Sequence, residues 1–251
     1  DRYQKSIDMS KVKAEIAYSA ADYFSMVYEL ITNRADVNMD DLSGTELEAA
    51  ETELFRQAIV EGIRSTMWIG DISGIVSDLT TFNGFFRQIL NMDEDVAAQV
   101  IAEADATPSA IEMFKGCWNN ATPELKSLRS EGELVYFVSS DVYNSYLDEL
   151  EEKGTDSAYQ DTINGHTSLC YRGIPIVEVP LAHYNTDRFS TFCMLTDRRN
   201  LVLALNTSDM PENEVRMWYN PDEMENRQRA IFLAGADVID QKLVSIYYSL
   251  F

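Results

Sequence analysis

Two histidines, three cysteines and several paired carboxylates are the groups in this chain suited to catalysis or metal binding. His166 and Cys170 stand four residues apart, and a thiol beside an imidazole has the makings of a nucleophile and its base. Their surroundings argue against that use. Cys170 falls in a strand-like run, where cysteine behaves as a small buried hydrophobe. His166 sits in a polar stretch read as a loop, and His183 has no motif around it. The chain contains no G-x-S-x-G, H-E-x-x-H, Walker A or G-x-G-x-x-G pattern. Asp40-Asp41, Glu149 with Glu151-Glu152, and Asp222-Glu223 offer carboxylate pairs for acid–base work or calcium. Adjacent carboxylates in helices and loops are ordinarily a solvated face, and no calcium-loop spacing accompanies them. No His, Cys and carboxylate set has metal-ligand spacing. The expectation is a non-enzyme with no metal and no cofactor.

The remaining groups suit contact rather than catalysis. Trp118, Trp218, Tyr219, Tyr247 and Tyr248 would make a stacking platform for nucleic acid if basic residues were interleaved with them. They are not, so core packing or subunit contact is the better reading. Arg198, Arg199, Arg216, Arg227 and Arg229 form the one local concentration of positive charge. Guanidinium groups pair carboxylates bidentately. These five arginines are therefore candidate subunit-interface residues, aimed at a neighbour's acidic surface, with nucleic acid as the other available anion.

Charge sharpens that reading. The 251 residues carry 42 acidic and 20 basic side chains, for a net charge of -22. Such a surface repels nucleic acid unless its cations are segregated onto one face. Apolar residues make up 45% of the chain, enough for a packed core and against general disorder. The length admits one large domain or two small ones. Three cysteines without C-x-x-C spacing give no disulfide framework and favour a reducing compartment. No run of eighteen apolar residues is present, and the opening residues carry no signal-peptide pattern.

The elements that must position these groups can be read locally. Lys11–Tyr18 alternates as a strand, Asp22–Thr32 is densely apolar with a length that permits a helix, and Arg34–Gly44 is a polar connection. Thr45 and Glu48 have capping-box spacing. A long helix is predicted from Glu46 to Ile69, its stripe drawn through Leu47, Ala50, Leu54, Ala58 and Met67 with Phe55, Ile59 and Ile63 beside it. Gly70 suits a left-handed C-terminal cap. Phe85–Leu90 and Asp93–Ala104 have helical patterns, and Pro108 marks a further helix through Trp118. Thr122-Pro123 opens another helix. Glu131-Gly132 turns into a strand, Leu134–Ser139, capped by Ser139 or Ser140 into a helix from Asp141 to Lys153. Lys153–Gly165 reads as a loop, and the remainder is strand-rich, with a turn at Asn220-Pro221-Asp222.

Several of these pieces resemble one family. Trp68-Ile69-Gly70-Asp71 followed by Phe82-Asn83-Gly84-Phe85-Phe86 is similar to the segment after the spine helix of HK97-fold major capsid proteins from phages of gut bacteria. Tyr171-Arg172-Gly173-Ile174-Pro175-Ile176-Val177-Glu178-Val179-Pro180 resembles that family's "RGIPV" strand pair. Leu195-Thr196-Asp197-Arg198-Arg199-Asn200-Leu201-Val202-Leu203 resembles its "LTDPKNLVLG" stretch. The resemblance implies an α+β, HK97-like capsid fold with a long spine helix at about 46–69. A peripheral P-domain would comprise 1–104 and 190–251, and a central A-domain 105–189. The N-terminal arm and extended loop would be short or absent. It implies a tailed-phage or prophage shell subunit that self-assembles into pentamers and hexamers around double-stranded DNA, without a membrane. Scaffold, portal or cement proteins would be its further partners. Its location would be the virion capsid, and the host cytoplasm during assembly. No residue maps onto the inter-subunit cross-links of some members. The rival expectations are an encapsulin-type nanocompartment shell, a small acidic Cys or Ser hydrolase, and a monomeric binding module.

Overall fold

The structure is a computed structural model that describes residues 5–19, 46–74, 79–90, 100–103, 109–153, 160–163, 166–181, 188–206, 214–223 and 225–250. Asp22–Thr32, the Arg34–Gly44 connection, Thr45 of the capping box, and Pro108 lie outside those residues. The chain divides into two units. One comprises Asp1–Gly84 and Leu203–Ala236, and the other Phe85–Val202 and Asp237–Phe251.

In the first unit a four-stranded sheet accompanies one long helix. Strand β1 (Ser10–Ser19) pairs antiparallel with the fourteen-residue β10 (Glu225–Val238), which also pairs with β9 (Glu214–Asn220) and borders β8 (Leu201–Asn206). Helix α1 spans Glu46–Ile69, as its periodicity predicts. The helix buries a different line from the one expected. Phe55 is buried and Ile59 and Ile63 half-buried, whereas Leu54 is 66% exposed and Ala58 is exposed. The apolar arc of α1 is wider than one sheet face can cover, and the aromatic and β-branched side chains take the covered part. Phe55, Ile59 and Ile63 share a groove of about 410 Å³ with Val12, Ala14 and Phe232 of the sheet.

Gly70 ends α1, but not as a left-handed cap: the positive-φ glycines among the described residues are Gly132 and Gly173. Its role is close approach. A Cβ there would stand 2.3 Å from the Phe82 carbonyl oxygen and 2.5 Å from that of Thr66. The Gly84 amide donates to the Gly70 carbonyl at 2.8 Å, and a Cβ on Gly84 would meet Thr66 O at 2.6 Å. The two glycines let the helix end and the returning chain touch backbone to backbone.

The second unit is a mixed seven-stranded sheet with helices packed on it. Its strands, in spatial order, are β2 (Val100–Glu103), β11 (Val244–Leu250), β7 (Arg188–Asp197), β3 (Leu134–Val138), β6 (Ile174–Glu178), β5 (His166–Tyr171) and β4 (Gln160–Ile163). Two sequence expectations change here. Val100–Glu103 is a strand rather than the end of a helix, because β11 offers it a parallel partner from Ile246 to Ser249. Gln160–Ile163 is a strand inside the expected loop, paired antiparallel with β5 from His166 to Leu169. Tertiary pairing overrides local pattern in each case.

Helix α2 covers Phe85–Leu90. Helix α3 (Ala110–Asn120) opens with a capping box, Ser109 Oγ accepting from Glu112 N–H at 3.3 Å. Helix α4 (Pro123–Ser127) has Thr122 as its cap, as expected. Helix α5 spans Ser140–Lys153. The core between them is aromatic. Phe114 of α3 lies 5.0 Å from Tyr136 and 5.1 Å from Tyr146, both edge-on, and stacks on Tyr171 at 5.0 Å. Asn200 ties two turns of this unit: its Nδ2 donates to Asp240 O at 2.9 Å and its Oδ1 accepts from Asp240 N–H at 2.8 Å.

Two outcomes test this packing. Gly70→Ala should destabilise the protein by about 2 kcal/mol or more, because the added methyl meets carbonyl oxygens rather than flexible side chains; a melt showing no loss would sink the close-approach account. Tyr136 is fully buried, and its hydroxyl has no hydrogen-bond partner among the described residues. Tyr136→Phe should thus be neutral or stabilising by up to about 1 kcal/mol, measured by chemical denaturation.

Candidate subunit interface

Strand alternation builds the basic face. On β10 the even positions Asn226, Gln228, Ala230, Phe232 and Ala234 are buried, so the odd positions face away from α1. The pairing registers then fix the neighbours. Arg229 lies between Glu15 of β1 and Arg216 of β9, and Arg227 lies between Ala17 and Trp218. Lys11 and Lys13 share this face by the same alternation. Five cations thus gather on one sheet face of a chain whose net charge is -22.

The local electrostatics are well defined. Arg216 and Arg229 stand directly opposite each other, a like-charge cross-strand pair that is unfavourable by itself. Arg229 places its guanidinium over the Trp218 ring, 5.4 Å from the centroid. Arg227 bonds to Glu223 and, at 3.3 Å, to Glu225. Glu15 is paired with Lys13, and that hydrogen bond, helped by the fields of Arg229 and Arg227, holds its carboxyl below the usual range. These pairs are partly exposed and contribute little to stability. Their effect is to hold extended cationic side chains in place on a flat surface.

The five sequence-selected arginines divide between the two units. Arg216, Arg227 and Arg229 share the sheet face of the first unit. Arg198 and Arg199 lie in the short turn between β7 and β8, in the second unit. Arg199 is engaged within its own chain, bonding to Asp197 at 2.7 Å and to Glu131 at 3.1 Å. Asp197 is 3% exposed and also accepts the Arg199 N–H at 2.8 Å. The side-chain bond from Arg199 holds the Asp197 carboxyl low despite its burial.

A second cationic feature escaped the sequence reading. The hairpin joining β5 to β6 has two turn residues, Arg172 at φ 53° and Gly173 at φ 77°. Positive φ at both places is the primed hairpin turn, which favours Asn-Gly or Gly-Gly. Arginine at the first of them is strained. The Arg172 carbonyl accepts a bond from the Arg129 guanidinium, and the Arg172 guanidinium sits 5.3 Å from the Tyr171 ring centroid. Arg129 itself lies over Trp118 at 5.5 Å. Arg172-Gly173 between two apolar runs was a hairpin signal available in the sequence.

The nucleophile candidates separate. Cys117 and Cys193 are fully buried and in contact, Cys117 Sγ donating to Cys193 O at 3.1 Å, and burial pushes the Cys193 thiol up. Cys170 is half-buried on β5. His166 is not in a loop but opens that same strand. Four positions along an extended strand span about 13 Å, beyond direct proton transfer. Among the described residues no group of three or more His, Cys, Asp or Glu side chains could hold a metal. No described helix is long and apolar enough to cross a membrane.

No family model and no curated protein sequence matches this chain. Solved structures do. An encapsulin complex from Synechococcus elongatus PCC 7942 aligns with a TM-score of 0.57 over 96% of this chain and 73% of that chain, at 11% identity. A chain of the satellite phage P4 procapsid aligns at 0.59 over 99% and 75%, at 13% identity. The capsid of an empty GTA particle aligns at 0.53 over 98% and 73%, at 12% identity. The chain has the HK97 capsid fold. Within that fold, α1 corresponds in length and place in the chain to the expected spine helix, and the α+β class agrees with the sequence expectation. At these identities the likeness shows the architecture alone.

The Asp197–Arg199 pair gives a pH test. A depressed carboxyl contributes stability above its unfolded pKa of about 4 and loses it as pH falls through the lower folded value. Asp197→Asn should lower Tm at pH 7, and its gap from the unmodified protein should close below about pH 4. A gap that persists undiminished at pH 3 would show that the ion pair is not its source.

Proposed function

We propose that this chain is the structural subunit of an icosahedral phage capsid, self-assembling into pentamers and hexamers that enclose DNA. The observation that carries the proposal is a fold shared over nearly the whole chain with particle-forming proteins, a phage P4 procapsid chain and a GTA capsid among them. Its mechanism is geometric. Identical subunits make heterologous contacts that close into rings, and curvature between rings closes the shell. The peripheral P-domain would comprise 1–104 and 190–251, with α1 as its spine, and the central A-domain 105–189. Arg216, Arg227 and Arg229, with Lys11 and Lys13, would meet carboxylates of neighbouring copies, so that assembly is steered by charge and sensitive to salt. Arg198, in the β7–β8 turn, would make a separate contact.

The protein would act in the virion capsid, after assembly in the host cytoplasm, with scaffold, portal or cement proteins as further partners. Double-stranded DNA would be held non-specifically. The protein would not be an enzyme: its thiols are core or strand residues, and the one Cys–His pair weighed is extended along a strand. A second reading, an encapsulin-type nanocompartment shell, is favoured by the encapsulin chain that aligns at a TM-score of 0.57.

Electron microscopy with mass photometry on the full-length protein, at low and high salt, tests the proposal. Closed shells or isolated rings of five and six are expected, with shells forming over a restricted salt range. Nucleic acid inside shells recovered from the native host would support the capsid, and a protein cargo there the nanocompartment. A monomer at every protein concentration and salt would overturn both.

A further inference from the structure

The least economical residue of the described fold is Arg172. A two-residue hairpin with positive φ at both positions needs no side chain at its tip, and Asn or Gly would fill the first position without strain. Arginine stands there instead, and the surrounding structure holds it. Arg129 donates to its carbonyl, and Tyr171 lies beneath its guanidinium at 5.3 Å. Tyr171 is itself fixed in the core by stacking on Phe114 at 5.0 Å. The side chain is exposed, yet the residue before it, Tyr171, belongs to the buried core of the second unit. Strain that the surroundings over-determine is a mark of a functional position. An exposed guanidinium held on an aromatic ring has lost part of its conformational freedom before it meets an anion, so less is lost on contact.

The same unit supplies an anion of matching character. The last two turns of α5 carry Asp148, Glu149, Glu151 and Glu152 against the single base Lys153, with Asp148, Glu151 and Glu152 exposed. Carboxylates at a helix C-terminus oppose the helix dipole, a local cost that a cationic partner offsets. One unit therefore displays a strained, preorganised cation and a dipole-opposed acidic helix end. In a ring of identical copies each subunit can offer one of these to each neighbour.

We infer that Arg172 is an interface residue of the shell, contacting the acidic end of α5 in a second copy of this chain. The inference rests on the shell reading above. Arg172 sets which surface of the neighbour is accepted, and Arg129 and Tyr171 position it.

The test uses the full-length protein and two changes. Arg172→Asn suits the turn, so it should raise or preserve Tm of the unassembled subunit while raising the protein concentration needed for assembly roughly tenfold. Arg172→Glu should abolish assembly, and Arg172→Glu combined with Glu151→Lys and Glu152→Lys should restore it. Unchanged assembly by Arg172→Asn, in a protein that otherwise forms shells, would overturn the inference and leave the shell reading standing. Loss without rescue by the charge swap would overturn α5 as the partner surface. Normal shells with weakened binding to double-stranded DNA would assign Arg172 to nucleic acid instead. Failure of the unmodified protein to assemble would overturn the shell reading, and this inference with it.

Discussion

The pleat of β10 is the constraint on which the first unit depends. Ten of its fourteen residues, Glu225–Ala234, alternate without a break between a buried face and a half-buried one. The buried face supplies Ala230, Phe232 and Ala234, and Phe232 lines the groove with α1. The other face supplies Arg227 and Arg229. Because the side-chain period is two, a slip of one residue would turn the arginines inward and the core outward. Register is therefore enforced by burial, and the basic face follows from the same enforcement. Strands β1 and β9 add to that face because their registers are pinned to β10 at Glu15↔Arg229↔Arg216.

The second unit rests on packing of a different kind. Phe114 touches three tyrosines, Tyr136, Tyr146 and Tyr171, drawn from β3, α5 and β5. One ring thus couples two helices to the sheet. Tyr146 also donates to Cys170 O at 3.3 Å, which anchors α5 to β5. Such a core resists small displacements, because interiors packed to crystal density have few alternative arrangements. In the proposed shell subunit that rigidity would matter, since errors in subunit shape would accumulate around a ring.

Charge joins packing to assembly. A net charge of -22 opposes close association of copies. Under the proposed assembly, cations gathered on one sheet face and at one hairpin tip would supply specific exceptions to that repulsion. Attraction is confined to a few surfaces and repulsion is general, which favours one mode of contact over many. The ion pairs within the subunit serve the same end. Arg199 with Asp197 and Glu131, and Arg227 with Glu223 and Glu225, hold their side chains without adding free carboxylates to the surface.

The sequence by itself determined the local elements. Helix α1, strands β1, β3, β9 and β11, the Thr122-Pro123 helix start and the Asn220-Pro221-Asp222 turn follow from spacing, caps and turn residues that act over a few positions. The order of those elements and their wording were enough to suggest the HK97 fold. What the tertiary structure decided is what depends on residues far apart in the chain. Val100–Glu103 became a strand because β11, some 145 residues later, offers it backbone partners. Strands β7 and β11 joined the sheet of β3 because their backbone groups are satisfied there. The face of α1 that is covered depended on which sheet residues met it, and periodicity could not choose between Leu54 and Phe55. Lys13, Trp218 and Arg229 form one surface only through strand pairing, whose hydrogen bonds carry no trace in local sequence.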